Sequence, residues 1–330
     1  MSKAKPYELE WEGCGTIQSV QMHWPLDASA RLTVRAALSS QDRKNLSFAG
    51  LPTSTRLKCQ GKALFHGTLR SVRSSGVHTV DLEFRDPLDL LTRTYESEFV
   101  KGQKLEDFLS AVAKVVGLRP RFFGRFDLDF PGTDLGGLSY FEHLVRLSTD
   151  YGFYFTVHSS ASELLFIALG AYRESAVVDK IVLGNILSRR SGADLFGSAE
   201  TRSFDSQQGQ ARQNELSPSS FYESLGFLKE AASFDSMGRW DLAAGRMEEV
   251  APRGMEDPKH RQLLSARLSK RASGAEKLTL TVRSPIGLPG DRVELKGLPE
   301  KALNGKYLVL ALNAQVASSA PTFDVTVARA

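Results

Sequence analysis

Cysteine is nearly absent: 330 residues hold two, Cys14 and Cys59, and neither forms a C-x-x-C pair or stands beside a histidine at metal-ligand spacing. A zinc module and a disulfide-stapled scaffold are thereby excluded, and two free buried thiols are the expectation, with a Cys14–Cys59 bridge as the alternative. Long apolar runs are missing too. No window reaches the ~18 consecutive apolar residues that a membrane span needs, and no apolar signal segment follows the initial Met-Ser-Lys-Ala-Lys-Pro-Tyr-Glu. The expectation is therefore a chain made in the cytoplasm without a signal peptide and with no membrane span.

Signature motifs are equally scarce. There is no G-x-S-x-G, no G-x-x-x-x-G-K-[ST] and no G-x-G-x-x-G, so the common hydrolase, nucleotide and dinucleotide fingerprints are lacking. The histidines at 23, 66, 78, 143, 158 and 260 form neither H-x-x-x-H nor H-E-x-x-H, which offers no local convergence on a metal. An excess of one charge is also missing: 42 Lys and Arg face 38 Asp and Glu, a net of +4. That surplus implies nucleic acid only if it is clustered. Arg119, Arg121 and Arg125 interleave with Phe122, Phe123 and Phe126, which suits stacking on single strands, but aromatics at this density more often fill a core; no nucleic-acid binding is expected.

What is present is ordinary globular composition, 42% hydrophobic and 24% charged with 27 Gly and 13 Pro, at a length that suits roughly two to three domains. Residues 16–38 and 56–91 read as short strands. In the run at 77–84, Val80, Leu82 and Phe84 face one side and Thr79, Asp81 and Glu83 the other, and Ser74-Ser75-Gly76 turns it back on the run at 63–72. From Lys101 the period becomes 3.6. Leu105, Phe108, Leu109, Val112, Ala113 and Val116 form one helical stripe closed by Gly117, and Ser139 caps a second helix with Phe141, Leu144, Val145 and Leu147 inward. On that second helix Glu142 and His143 read as a surface pair. A hairpin at 153–157 and 164–169 follows.

Between 189 and 253 apolar periodicity weakens, and 203–220 reads as a linker or surface excursion. A third helix is predicted over 257–271, with Leu263, Leu264 and Leu268 inward and His260, Arg261, Arg267, Lys270 and Arg271 outward. Strands return at 278–282, 292–295, 307–312 and 323–327. The fold class is α+β, mainly β: two small β-barrels flanking a helix-helix-hairpin α+β insert. Domain bounds are placed at 1–95 for the first barrel, 96–188 for the insert, 189–255 for a polar connection, with membership of the insert as the alternative, and 256–330 for helix plus second barrel.

Four stretches carry a family resemblance. They are Phe65-His66-Gly67-Thr68-Leu69 with 77–91 leading into Asp86-Pro87-Leu88-Asp89-Leu90-Leu91; 138–155; Leu183-Gly184-Asn185-Ile186; and Gly287-Leu288-Pro289-Gly290-Asp291-Arg292-Val293 through Asn304-Gly305-Lys306-Tyr307 to Arg329. In order and spacing they resemble the hub proteins of contractile phage tails and injection systems, including the late control gene D proteins and the hub portion of VgrG-like proteins. The resemblance implies a structural baseplate hub without cofactors or catalytic residues: a homotrimer that adapts a sixfold tube to a threefold spike. It further implies as partners a central spike protein, a tail-tube or tube-initiator protein and baseplate wedge proteins. Because the chain stops at Ala330, the spike is expected on a separate chain.

Two rivals stand beside it. Asp127, Asp129 and Asp134 could serve a cell-wall glycosidase, whose two carboxyl groups must lie about 5 to 9.5 Å apart; as turn residues and caps they would have no such role. A split-barrel flavin or nucleotide binder is the third reading.

Overall fold

The computed structural model describes residues 7–10, 15–39, 53–76, 78–95, 99–134, 137–178, 185–190, 198–205, 210–216, 246–250, 270, 276–298, 301–316 and 321–329. Its first strands are β1 (Tyr7–Glu10), β2 (Thr16–Pro25), β3 (Arg31–Ala37), β4 (Ser54–Cys59), β5 (Lys62–Ser74) and β6 (Thr79–Arg85), followed by the one-turn helix α1 (Leu88–Leu91). Next come β7 (Phe99–Lys104), α2 (Leu105–Val115), β8 (Arg119–Phe123), β9 (Asp129–Asp134), α3 (Tyr140–Asp150), β10 (Phe153–Val157), β11 (Glu163–Ala168) and β12 (Ser175–Val178). Then follow β13 (Asn185–Arg190), β14 (Ser198–Asp205), β15 (Gln210–Leu216) and β16 (Arg246–Val250). The chain closes with β17 (Glu276–Val282), β18 (Arg292–Leu295), β19 (Gly305–Val316) and β20 (Pro321–Arg329).

The fold is mainly β, as expected, and its largest element is a curled sheet of order β1-β4-β5-β6-β3-β2-β19-β20-β17-β13, with β18 on β19 and β12 on β18. Strands from the two ends of the chain thus share one sheet, joined where Val20–Pro25 of β2 pairs antiparallel with Ala311–Val316 of β19. Period-2 patterning explains the shared core. Val20, Met22 and Trp24 from β2, Leu32 and Val34 from β3, and Val80, Leu82 and Phe84 from β6 point inward, against Leu280, Leu312, Phe323 and Val325 from the closing strands. The hairpin predicted around Ser74–Gly76 is β5–β6, with Thr79, Asp81 and Glu83 on the wetter face.

The insert has its own core. Leu105, Phe108, Leu109, Val112 and Ala113 of α2 pack with Leu144 and Leu147 of α3 and with Phe153, Phe155 and Phe166 of the sheet β10-β11-β8. Leu88 and Leu91 of α1 join it, so this core begins before residue 96. Gly117, at φ +70°, follows α2 as its sequence position suggests. The α3 entrance is a capping box: the Glu142 amide donates to the Ser139 hydroxyl while the Ser139 amide donates to the Glu142 carboxylate at 2.7 Å.

Two expectations change here. Glu142 and His143 are not a surface pair: His143 is 1% exposed, because it lies three residues after Tyr140 and four before Leu147 on the buried stripe, and Glu142 is committed to the cap. The polar stretch after Arg189 carries strands as well: β14 pairs antiparallel with β15 and parallel with β16. Backbone pairing needs no apolar side chains, which is why weak hydrophobic periodicity concealed it. The predicted third helix lies outside the described residues except for Lys270.

Replacing Ser139 by Ala is expected to lower stability by about 1 kcal/mol, and Ser139→Thr, which keeps the hydroxyl, to cost less; equilibrium guanidinium unfolding measures both.

Candidate functional site: the joint between insert and sheet

The carboxylates of the glycosidase reading are placed as follows: Asp127 lies in the connection before β9, and Asp129 and Asp134 lie on β9 itself. Asp127 is exposed and held by Arg125 through a two-point ion pair at 2.6 and 3.0 Å, which keeps its carboxyl below the ordinary range rather than raising it toward a general acid. Asp129 and Asp134 sit at opposite ends of β9, opposite Lys104 and Phe99 of β7. Five residues of strand separate their Cα atoms by about 16 Å, well beyond a glycosidase spacing. Among the described residues no group of three His, Cys, Asp or Glu could hold a metal. The arginines of β8 face outward, Arg119 and Arg121 pairing with Glu163 of β11, while Phe122 and Phe126 pack in the insert core. Cys59 is a buried free thiol, pushed up by that burial.

The buried polar chemistry gathers instead where the insert meets the curled sheet. β10 is an edge strand of its three-stranded sheet, yet every one of its residues is buried. Its outward backbone groups therefore need partners other than water. The turn between β2 and β3 supplies them. Asp27, in the left-handed region at φ +57°, donates its amide to the Phe155 carbonyl at 2.8 Å and accepts the Phe155 amide on Oδ1 at 2.9 Å, as a neighbouring strand would. Asp is among the residues that tolerate this conformation. Two residues before the turn, the Trp24 indole donates to the buried Thr156 hydroxyl at 2.8 Å.

Lys270 completes the edge. Its Nζ lies 2.7 Å from Asp27 Oδ2 and 2.9 Å from the Ser148 hydroxyl, donates to the Phe153 carbonyl, and stands 4.7 Å from the centre of the Tyr154 ring. Sequence periodicity placed this lysine on an outward cationic face; with its side chain 10% exposed it turns inward, because the acceptors of β10 and Asp27 are there. Burial pushes the Asp27 carboxyl up and the Lys270 ammonium down, each opposed by the other's charge.

Asp86 fixes the turn from below. It accepts from the Ser29 hydroxyl at 2.7 Å and the Ala30 amide at 2.9 Å, and from the Leu88 amide at the start of α1 at 3.2 Å. Complete burial outweighs these three donors and pushes its carboxyl up to about 7. It precedes Pro87 in the Asp86–Leu91 stretch quoted above, so its position was visible in the sequence while its partners were not.

A second fastening lies on the other flank. Arg173 grips Asp291 through bonds of 2.8 and 3.1 Å, both side chains being under 10% exposed, while Asp291 Oδ2 also accepts the Leu288 amide at 2.8 Å. The backbone closes around this pair: the Arg173 amide donates to the Gly290 carbonyl, the Arg292 amide to the Glu174 carbonyl, and β12 then runs parallel to β18. Gly290 takes φ +91°, a conformation that favours glycine, and a Cβ there would stand 2.3 Å from Ile167 Cδ1, so the end of that side chain would have to shift. Leu26, Tyr154, Ile167 and Leu308 form a small apolar cluster between the two fastenings. Outside the joint, Leu90, Tyr95, Val115 and Val177 are exposed large apolar residues.

Two outcomes are expected of this joint. Arg173→Ala leaves Asp291 buried and short of its charge partner, and should cost about 3 to 5 kcal/mol in guanidinium unfolding. Between the ordinary aspartate value near 4 and the folded value of about 7, the folded chain keeps a proton on Asp86 that the unfolded chain has released. This group's contribution is therefore greatest below about pH 4 and declines as pH rises to 7, by roughly 2 to 4 kcal/mol in all. Unfolding midpoints at pH 5 and pH 8, compared with those of Asp86→Asn, isolate that slope.

No family model matches the chain, and no curated protein matches its sequence. Solved structures do match. A 43 kDa tail protein of prophage MuSo2 from Shewanella oneidensis is similar over 99% of this chain and 97% of its own, with a TM-score of 0.68 at 13% identity. A tail protein from Neisseria meningitidis MC58 covers 98% and 97%, with a TM-score of 0.70 at 11% identity. The E. coli c3393 protein, described as a type VI secretion component similar in structure to the T4 tail proteins gp27 and gp5, covers 99% of this chain and 77% of its own, at 10% identity and a TM-score of 0.58. At such identities the likeness is one of fold, and both ends of this chain, the insert and the closing strands fall within it.

Proposed function

We propose that this chain is a non-enzymatic structural component of a phage tail or injection-system baseplate, a hub that works by shape and by rigid docking. The observation that carries the reading is the end-to-end coincidence of fold with two tail proteins, over 97% or more of both partners in each comparison. The site geometry agrees with it: the buried ionic groups fasten two parts of the chain together, Asp127 is ion-paired with Arg125, and Asp129 and Asp134 stand at opposite ends of one strand.

In this reading the protein is a homotrimer. The barrel strands at 1–95 and 256–330 alternate around a ring, the insert at 96–188 projects from it, and 189–255 forms a polar connection. The ring mates a sixfold tube to a threefold spike, and the partners are a central spike protein, a tail-tube or tube-initiator protein and baseplate wedge proteins. A chain of the PdpA–VgrG complex of Francisella is also similar, over 96% of this chain and 49% of its own length, with a TM-score of 0.52 at 9% identity. Assembly also answers a physical need, because a long sheet whose terminal strands have one neighbour each among the described residues presents backbone groups that ring closure would pair.

Light scattering of the purified full chain at micromolar concentration, alone and with a candidate spike protein, tests this. A mass of three chains, or one that becomes threefold on adding the spike, is the expected outcome. A monomer indifferent to the spike, together with loss of turbidity of cell-wall suspensions that disappears in Asp127→Asn or Asp129→Asn, would move the reading to an enzyme.

A further inference from the structure

Three segments distant in sequence meet at one buried charge pair. Asp27 belongs to the β2–β3 turn of the curled sheet; Ser148, Phe153 and Tyr154 belong to the insert; Lys270 precedes β17. The two charged side chains are 22% and 10% exposed, and the lysine's surroundings include an aspartate, a hydroxyl, a carbonyl and an aromatic face. In such a place an ion pair adds little to overall stability, since the cost of desolvating both charges offsets their attraction, while separating the partners leaves a bare buried charge at a steep penalty. The pair therefore discriminates between arrangements more than it deepens the favoured one.

We propose that Asp27–Lys270 is an orientation key: it admits one seating of the insert on the sheet and penalises every state in which the turn, the insert edge or the segment holding Lys270 has withdrawn. The geometry of Asp27 makes it a positioning residue. The same side chain that meets Lys270 through Oδ2 accepts the Phe155 amide through Oδ1, and its own amide bonds the Phe155 carbonyl. Loss of the lysine thus frees the carboxylate to leave, and the edge of β10 opens with it. An apolar latch of equal area would hold the parts together but would tolerate sliding, because dispersion and area burial are insensitive to register, whereas a charge held by four directional partners is not. This inference stands on the joint alone and is independent of the tail reading.

Hydrogen exchange on the full-length protein tests it. In Lys270→Met, the amides of Asp27 and Phe155 should exchange about ten-fold faster or more, while those of Leu280 and Val325, deep in the closing strands, change by less than about two-fold. Acceleration of both sets alike would show an ordinary stabilising contact and overturn the proposal, as would unchanged rates at Asp27 and Phe155. Should Lys270→Met fail to fold, the unmodified protein still decides. Acylation of Lys270 by an N-hydroxysuccinimide ester, followed by peptide mass mapping, should run at least about ten-fold slower than acylation of exposed Lys62. Equal rates at the two lysines would mean that the key is not engaged, and the proposal falls.

Discussion

A strand buried on both faces cannot leave its outer backbone edge bare, and β10 is such a strand. Each outward N–H or C=O deprived of water and partner would cost on the order of 1 to 3 kcal/mol. The Phe155 amide and carbonyl and the Phe153 carbonyl are all met by Asp27 and Lys270. The other features of the joint follow from this demand. Asp27 must adopt a left-handed backbone to present both its amide and its carboxylate. The turn must then be anchored, which Asp86 does through Ser29 and Ala30. A cation must balance the buried carboxylate, which brings Lys270 inward.

The second fastening meets a different constraint with similar means. β12 is a short parallel strand on β18 whose residues are largely exposed, a weak arrangement by itself. The two-point Arg173–Asp291 pair and the close fit of Gly290 on Ile167 set its start in place. With one fastening at each flank and apolar contact between them, the insert is joined to the sheet at separated points, so that hinge motion about either one strains the other. Such an arrangement suits a part whose value lies in holding a fixed shape.

Much of the fold was legible in the chain. The alternation at Val80, Leu82 and Phe84, the stripe from Leu105 to Ala113, the Ser139 cap and the closing strands at Leu278, Val293, Val309 and Val325 are local patterns, and local patterns are what periodicity reports. What could not be read was pairing across the sequence. Nothing near Val20 announces Val316, and the merging of both ends into one sheet rests on that contact. The joint was hidden for the same reason. Asp86 and Asp291 lay within recognised stretches, but their roles depend on Ser29 and Arg173, and Lys270 followed the wrong face because an amphipathic pattern assigns charge to solvent by default. His143 was misplaced by the same default.

The pairing of β2 with β19 has a consequence for the life of the chain on the ribosome. Most of the polypeptide must be synthesised before residues 311–316 can emerge to cover β2, so during that interval the first half of the sheet exists with β2 as a bare, apolar-backed edge. Closing a loop of that span costs only a few kcal/mol more than closing a short one, because the penalty grows with the logarithm of length, but it is slow. Until residues 311–316 arrive, β2 is an edge open to mispairing, and the yield in the cell should depend on how quickly translation delivers them, or on a chaperone that occupies the edge in the meantime.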